Sequence, residues 1–387
     1  MTYLLVSSSW GPEELRAMQR VIASGQFTMG DEVARFEKDF ARRFGSKHAV
    51  MVNSGSSANL LAIAALHYRR RAPFRSGDEV IVPSVSWSTT YYPIHQYGMK
   101  LVFCDIDRET LNLDPRGLKA ALSTKTRALF VPSLLGNPAA LDELQEFCAE
   151  HDLELIEDNC ESMGATLHGK QVGTWGTLGT FSCFFSHHIS TMEGGVIVTD
   201  DEELHHILLS LRAHGWTRHL PKKNKVVRKG DDPFRESFRF VLPGYNVRPL
   251  EISGAIGQEQ LKKLPGIVAQ RRRNARDFLR RFGDDERFGL QEEVGKSSWF
   301  GFSMVTQGRT KRAAVLKALR AAGIDTRPVV SGNFLVNDVV RLLNHRVVGK
   351  HPNAQRIHDH GFFVGNHPRP LGPELDELED ALRGVPG

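Results

Sequence analysis

Between residues 49 and 200, short apolar runs alternate with segments whose apolar side chains recur every three to four positions. That alternation predicts strands joined by helical crossovers, hence one mainly parallel sheet with helices on its faces. The runs fall at 49–53, 79–83, 100–106, 127–133, 154–158, 180–185 and 195–199, and predict seven strands. Residues 57–68, 115–122 and 141–151 predict covering helices, 12–24 and 30–44 two amphipathic helices ahead of the sheet, and 202–214 another after it. Past residue 250 the pattern changes to a long charged helix over 250–282, a strand-like stretch at 298–306, and helices at 311–322 and 373–383. The expected fold class is α/β, with residues 1–250 as an N-terminal arm and large sheet domain and residues 251–387 as a smaller C-terminal α/β domain.

Composition narrows the classes of function. A hydrophobic share of 41% and a charged share of 25% over 387 residues are those of a globular chain, which excludes wholesale disorder, collagen and coiled coil. The longest apolar stretch, Leu60 to Leu66, is far shorter than the ~20 residues needed to span a bilayer, and Met1 opens no basic-then-apolar signal pattern. A cytoplasmic protein without a membrane partner is expected. Cys104, Cys148, Cys160 and Cys183 form no CxxC or CxC pair, so buried reduced thiols are expected and no metal site. A net charge of +5 is too small to imply a nucleic-acid partner. From Trp216 to Phe240, however, eight Lys and Arg face three acidic residues, either a solvated loop or a clamp for an anionic ligand.

In open parallel sheets ligands bind beyond the carboxyl ends of the strands, so the residues after each run carry the chemistry. After Val52 comes Asn53-Ser54-Gly55-Ser56-Ser57-Ala58-Asn59, small residues leading into a helix; such a turn suits a phosphate, and equally a plain N-cap. After Ile156 comes Glu157-Asp158-Asn159, an acidic side chain at a strand end that calls for a cation. A protonated pyridine nitrogen would supply one; a magnesium ion, a helix cap or a structural ion pair are the alternatives for Asp158 alone. The third segment runs Phe181-Ser182-Cys183-Phe184-Phe185-Ser186-His187-His188-Ile189-Ser190-Thr191-Met192-Glu193-Gly194-Gly195.

Together with Gly244-Tyr245-Asn246-Val247-Arg248-Pro249, these motifs resemble the DegT/DnrJ/StrS-type family of vitamin-B6-dependent sugar aminotransferases, from about Ser24 to the C terminus. The resemblance implies the aspartate-aminotransferase fold (fold type I). It also implies that Ser56, the Gly55 and Ser57 backbone and Ser182 hold the phosphate of pyridoxal or pyridoxamine phosphate. Asp158 would pair with the pyridinium nitrogen, Trp87 would stack on the ring, and Glu161 would approach the ring hydroxyl, where many relatives have Gln. Asn246 would reach the phosphate of a neighbouring subunit, implying a homodimer with shared sites.

His187 departs from the aminotransferase pattern, which has there a lysine bonded to the cofactor. An imidazole cannot make that bond, so the cofactor would be held noncovalently, and a histidine can still remove and donate protons. In this respect the chain resembles the pyridoxamine-phosphate-dependent sugar 3-dehydratases, and Ser-Ser-Ser-Trp and Gln-Phe-Thr-Met-Gly near its start are similar to the colitose-pathway branch. The implied reaction removes the C3 hydroxyl of a nucleotide-diphosphate 4-keto-6-deoxyhexose, GDP-4-keto-6-deoxy-D-mannose by the nearest likeness, with L-glutamate as amino donor and release of ammonia and 2-oxoglutarate. His187 would be the acid–base, and Ser186, His214, Arg218 and Arg248 are candidates for substrate contact. The absence of clustered cysteines argues against the iron–sulfur cluster of a sister branch. An aminotransferase working without lysine and a non-catalytic B6-binding regulator are the rival readings.

Overall fold

The computed structural model describes residues 2–387. Its strands are β1 (His48–Val52), β2 (Glu79–Pro83), β3 (Lys100–Cys104), β4 (Thr126–Pro132), β5 (Glu154–Asp158), a small hairpin of β6 (Thr166–Leu167) and β7 (Lys170–Gln171), β8 (Leu178–Ser182), β9 (Gly195–Thr199), β10 (Phe288–Leu290), β11 (Gly301–Thr306), β12 (His345–Val347) and β13 (Gly361–Gly365). Among the described residues, eight of these make one sheet in the order β1–β9–β8–β5–β4–β2–β3–β12. Seven are the strands expected from the apolar runs. The eighth, β12, comes from far down the chain to pair with β3. Only β9 runs antiparallel to its neighbours, so the carboxyl ends of β1, β2, β3, β4, β5 and β8 share one edge.

Strands β2, β8 and β9 are buried along their whole length, which explains why they read as continuous apolar runs. On one face lies the helix Gly55–Tyr68, which buries Leu61, Ile63 and Leu66 alike because it is apolar all round. On the other, Phe40 and Phe44 of the helix Asp31–Phe44 meet Phe181 of β8, with ring centroids 5.3 and 4.8 Å apart. Each such fully buried phenylalanine contributes about 1.5–3 kcal/mol. The segment expected as a helix over 115–122 is instead a 3₁₀ turn, Pro115–Gly117, followed by one α-helical turn, Leu118–Ala121.

The 32-residue helix Glu251–Phe282 crosses from this sheet to a second, three-stranded antiparallel one, β10–β11–β13. There Phe278 stacks on Phe302 of β11 with centroids 4.4 Å apart. The N-terminal arm ties the two regions together. Tyr3 is buried in the small-sheet core and donates its hydroxyl to the Gly365 carbonyl, and Trp10 donates its indole N–H to Ser190 O at 3.1 Å, in the loop between β8 and β9. No helix among the described residues is long and apolar enough to cross a membrane.

Candidate active site

At the shared carboxyl edge of the large sheet lies a cavity of about 380 Å³. Gly55, Ser56, Trp87, Asp158, Glu161, Ser182, Ser186 and His187 all line it, so eight of the residues singled out in the sequence come together. The helix Gly55–Tyr68 starts here and points its first turn inward. Ser54 caps it, accepting the Ser57 N–H at 3.1 Å, so the Ser57 amide is engaged and Ser57 is not part of the cavity wall. Gly55 has to be glycine: a Cβ there would stand 2.7 Å from Ser182 Cβ and 2.8 Å from Cys160 Sγ. The result is a cradle of helix-terminal amides beside the hydroxyls of Ser56 and Ser182, at the positive end of the helix dipole.

The pleat of β5 separates its two terminal acids. Glu157 turns away and accepts the amides of Gly173, Trp175 and Gly176 at 2.6–2.8 Å, fixing the turn before β8. Burial nonetheless pushes its carboxyl up to about 7. Asp158 turns into the cavity. Its Oδ2 accepts from Thr90 Oγ1 at 2.7 Å and Asn59 Nδ2 at 2.8 Å, and its Oδ1 from the Cys160 N–H at 3.2 Å. A carboxylate surrounded only by donors is held as an acceptor, able to take one more donor from a cationic ligand. Glu161 accepts the Leu135 N–H at 2.9 Å; burial, with Asp158 adding to it, raises its carboxyl to about 7, so it exchanges a proton near neutrality.

His187 sits in the loop joining β8 to β9. The loop closes on itself through Cys183 N–H to Gly194 O at 2.8 Å, and the Cys183 carbonyl turns to accept the Thr191 N–H at 2.9 Å, so the ladder ends there and not at residue 185. Gly195, the first residue of β9, lets that strand pass close to the helix cap, since a Cβ would lie 2.2 Å from Ser54 O. The His187 ring packs between Phe184 and Phe300, centroids 5.8 and 5.2 Å away, and its Nδ1 is buried without a protein partner. Burial, then the nearby Arg271 charge, bring its pKa down to about 4, so the imidazole is a neutral base at pH 7. His188 points the other way, donating Nε2–H to Ser298 O at 3.1 Å in the packed interior.

The remaining residues form a second group, outside this wall. Arg218 lies over the Trp216 ring at 4.6 Å and Arg248 at 5.9 Å; His214 packs on the same indole at 4.7 Å, and Asn246 accepts from Arg248 Nε at 2.9 Å. Within one chain, therefore, Asn246, His214, Arg218 and Arg248 are not brought to the cavity. The sequence reading missed Asn59, Thr90, Phe300 and Val330. Asn59 was detectable as the polar interruption of an apolar helix. Phe300 and Val330 arrive from the C-terminal region, where no local pattern marks them.

Residues 9–382 match the DegT/DnrJ/EryC1/StrS aminotransferase family. The chain is 53% identical to a GDP-4-keto-6-deoxy-D-mannose 3-dehydratase of Yersinia pseudotuberculosis, over 99% of this chain and 98% of that one. Its fold is similar to the E. coli GDP-4-keto-6-deoxy-D-mannose-3-dehydratase with bound hydrated PLP, with a TM-score of 0.97, 54% identity, and 99% and 100% of the two chains covered. It is equally similar, with a TM-score of 0.97, 54% identity, and 98% and 100% covered, to a GDP-4-keto-6-deoxymannose-3-dehydratase with a trapped PLP–glutamate geminal diamine.

Proposed function

The chain belongs to the DegT/DnrJ/EryC1/StrS aminotransferase family, and from that premise we propose that it is a pyridoxamine-phosphate-dependent 3-dehydratase of a nucleotide-linked 4-keto-6-deoxyhexose, with GDP-4-keto-6-deoxy-D-mannose as substrate. The single observation that carries the reading is His187, a half-buried neutral imidazole lining a cavity whose wall contains no lysine among the described residues. The cavity's donors fit the cofactor: the Gly55 cradle takes a phosphate, and the acceptor-only Asp158 takes a protonated ring nitrogen. When bound, that group supplies the electron sink for breaking a C–H bond and the amino nitrogen that activates the keto sugar.

The chain's own residues then have separate tasks. Ser56 and Ser182 would anchor the phosphate, Trp87 would cover one ring face, and Asp158 would keep the proton on the ring nitrogen; all four line the cavity. Glu161 meets the ring hydroxyl. His187 would take a proton from the cofactor methylene and return it to the C3 hydroxyl oxygen as that group departs as water. Glutamate provides the two electrons, leaving as 2-oxoglutarate, and its nitrogen leaves as ammonia; the sugar leaves as the 4-keto-3,6-dideoxy form. Phe184 and Phe300 pack on either side of the imidazole and fix the direction in which it meets the cavity.

We further assign the Trp216 group to the site of a second copy in a cytoplasmic homodimer, with Asn246 reaching the partner's phosphate cradle. Supporting this, Trp87 at the cavity mouth is 59% exposed, and Phe234, Phe238 and Phe240 beside the Trp216 group are 55–87% exposed. In this division residues 1–250 carry the arm and most of the cofactor site, and residues 251–387 the smaller domain, which returns β12 to the large sheet and Phe300 and Val330 to the cavity; the product enters dideoxysugar synthesis of the colitose, O-antigen type. Arg218 is assigned to the nucleotide diphosphate. Arg218→Ala is expected to raise the KM for the nucleotide sugar about 10- to 100-fold, the worth of a charge-assisted hydrogen bond, while the glutamate half-reaction is unchanged. Equal damage to both halves removes Arg218 from the nucleotide-sugar site.

The reading is tested by incubating the purified protein with pyridoxal phosphate, glutamate and a panel of 4-keto-6-deoxy nucleotide sugars and measuring ammonia. Ammonia release with the GDP-linked sugar is expected. Cofactor uptake without glutamate turnover would instead mark a binding protein without activity.

A further inference from the structure

Among the described residues two arginines are buried, and they are treated differently. Arg212 meets the Glu37 carboxylate. Arg271, 4% exposed on the helix Glu251–Phe282, has no carboxylate within ion-pair distance among the described residues, and its Nε is buried without a partner. Its Nη1 donates to three backbone carbonyls: Asn366 O at 2.6 Å, Phe300 O at 2.9 Å and Trp299 O at 3.4 Å. A buried guanidinium lacking a counter-charge is costly and is retained only where something gains from it.

Of the residues whose carbonyls it gathers, Phe300 lines the cavity and Trp299 directly precedes it. Trp299 adopts a left-handed φ of 49°, a conformation that a non-glycine residue holds only under outside constraint. Asn366 supplies part of that constraint, donating Nδ2–H to Trp299 O at 2.9 Å and to Arg271 O at 3.1 Å, and Asn274, three residues beyond Arg271 on the same helix, donates to Asn366 Oδ1 at 3.0 Å. From the other side His188 bonds Ser298 O. The turn fixed in this way presents the Phe300 ring to His187.

We infer that Arg271 is a positioning residue for the reaction: its guanidinium clamps the Trp299–Phe300 turn so that Phe300 seats the His187 imidazole, and its unpaired positive charge stands behind that imidazole. The inference rests on the reading of His187 as the proton carrier. The titratable groups around His187 are Asp158, Cys160 and Glu161 at and beyond the end of β5, His188 and Glu193 on its own loop, and Arg271 from the long helix. Burial lowers the Arg271 pKa to about 10, which leaves it charged at neutrality. A cation there disfavours the imidazolium, so His187 stays a free base down to acid pH. Removing the cation lets its proton affinity climb back toward that of an ordinary histidine, and the acid limb of the rate moves up in pH.

The test follows the His187 imidazole resonance by NMR titration of the cofactor-free protein, identified by its absence in His187→Asn. Arg271→Met and Arg271→Gln remove the charge, and Arg271→Lys keeps it while losing the planar guanidinium that places Nη1 among the three carbonyls. In whichever neutral variant folds, the proton affinity of His187 is expected to rise by up to about tenfold, burial keeping the larger part of the depression, with the acid limb of kcat displaced in the same direction. Arg271→Lys is expected to keep the low titration midpoint and lose kcat through a looser Phe300. A neutral variant that titrates as the parent does, or a lysine variant that moves the midpoint as far as the neutral ones, overturns the inference. Because the titration needs neither cofactor nor substrate, it stands apart from the ammonia assay, whose failure would count against the dehydratase reading instead.

Discussion

His187→Asn is expected to bind pyridoxal phosphate normally and to lose C3 elimination. Asparagine is polar and of similar reach, but it cannot accept and return a proton, and loss of a general acid–base costs about 10²–10⁴-fold in rate. The loop does not depend on the imidazole for its shape. It is pinned by Cys183 N–H to Gly194 O, by Ser190 N–H to Gln260 Oε1 at 3.0 Å and by His188 to Ser298. Cofactor uptake, read by its absorbance and by equilibrium dialysis, therefore survives. Residues 183–194 include no lysine, so borohydride treatment of the parent protein followed by peptide mapping is expected to find no cofactor-labelled lysine in this loop. Dehydration at the parental rate by the asparagine variant would take His187 out of the acid–base role.

Asp158→Asn is expected to slow both the glutamate half-reaction and the dehydration. Thr90, Asn59 and the Cys160 amide already donate to this carboxylate, so an amide in its place turns an NH₂ toward donors and offers no charge to a protonated ring nitrogen. Leaving a buried charge without its partner costs roughly 3–5 kcal/mol, or about 10²–10⁴-fold in whichever step needs it. Both halves need the ring nitrogen protonated, so both fall together in stopped-flow measurements of each half. A variant changed only in its affinity for the phosphate would show that Asp158 does not touch the ring.

The parts of the site that could be read from the sequence are those carried by local punctuation. Gly55 and His187 follow apolar strands and Asp158 ends one, and in an open parallel sheet such positions converge on one edge whatever the connecting helices do. The helices 12–24 and 30–44 were legible because their apolar faces repeat and a glycine follows each. The helix Ser88–Gln96 was not: it contains Pro93, lacks a side-chain cap, and its apolar residues show no clear period. β12 is three residues long and half exposed, a strand only because β3 has an open edge. Phe300 and Val330 reach the cavity through tertiary packing alone, as does the link from Arg271 to His187. The eight-stranded sheet likewise required the pairing of residues more than 240 positions apart, which no window of sequence displays.

The most direct test of the proposed chemistry is the mass of the nucleotide-sugar product formed from GDP-4-keto-6-deoxy-D-mannose, glutamate and pyridoxal phosphate. A product lighter than the substrate by one oxygen, with ammonia and 2-oxoglutarate in equal amounts, is the expected result. An amino sugar that keeps its C3 hydroxyl and carries the glutamate nitrogen would contradict it.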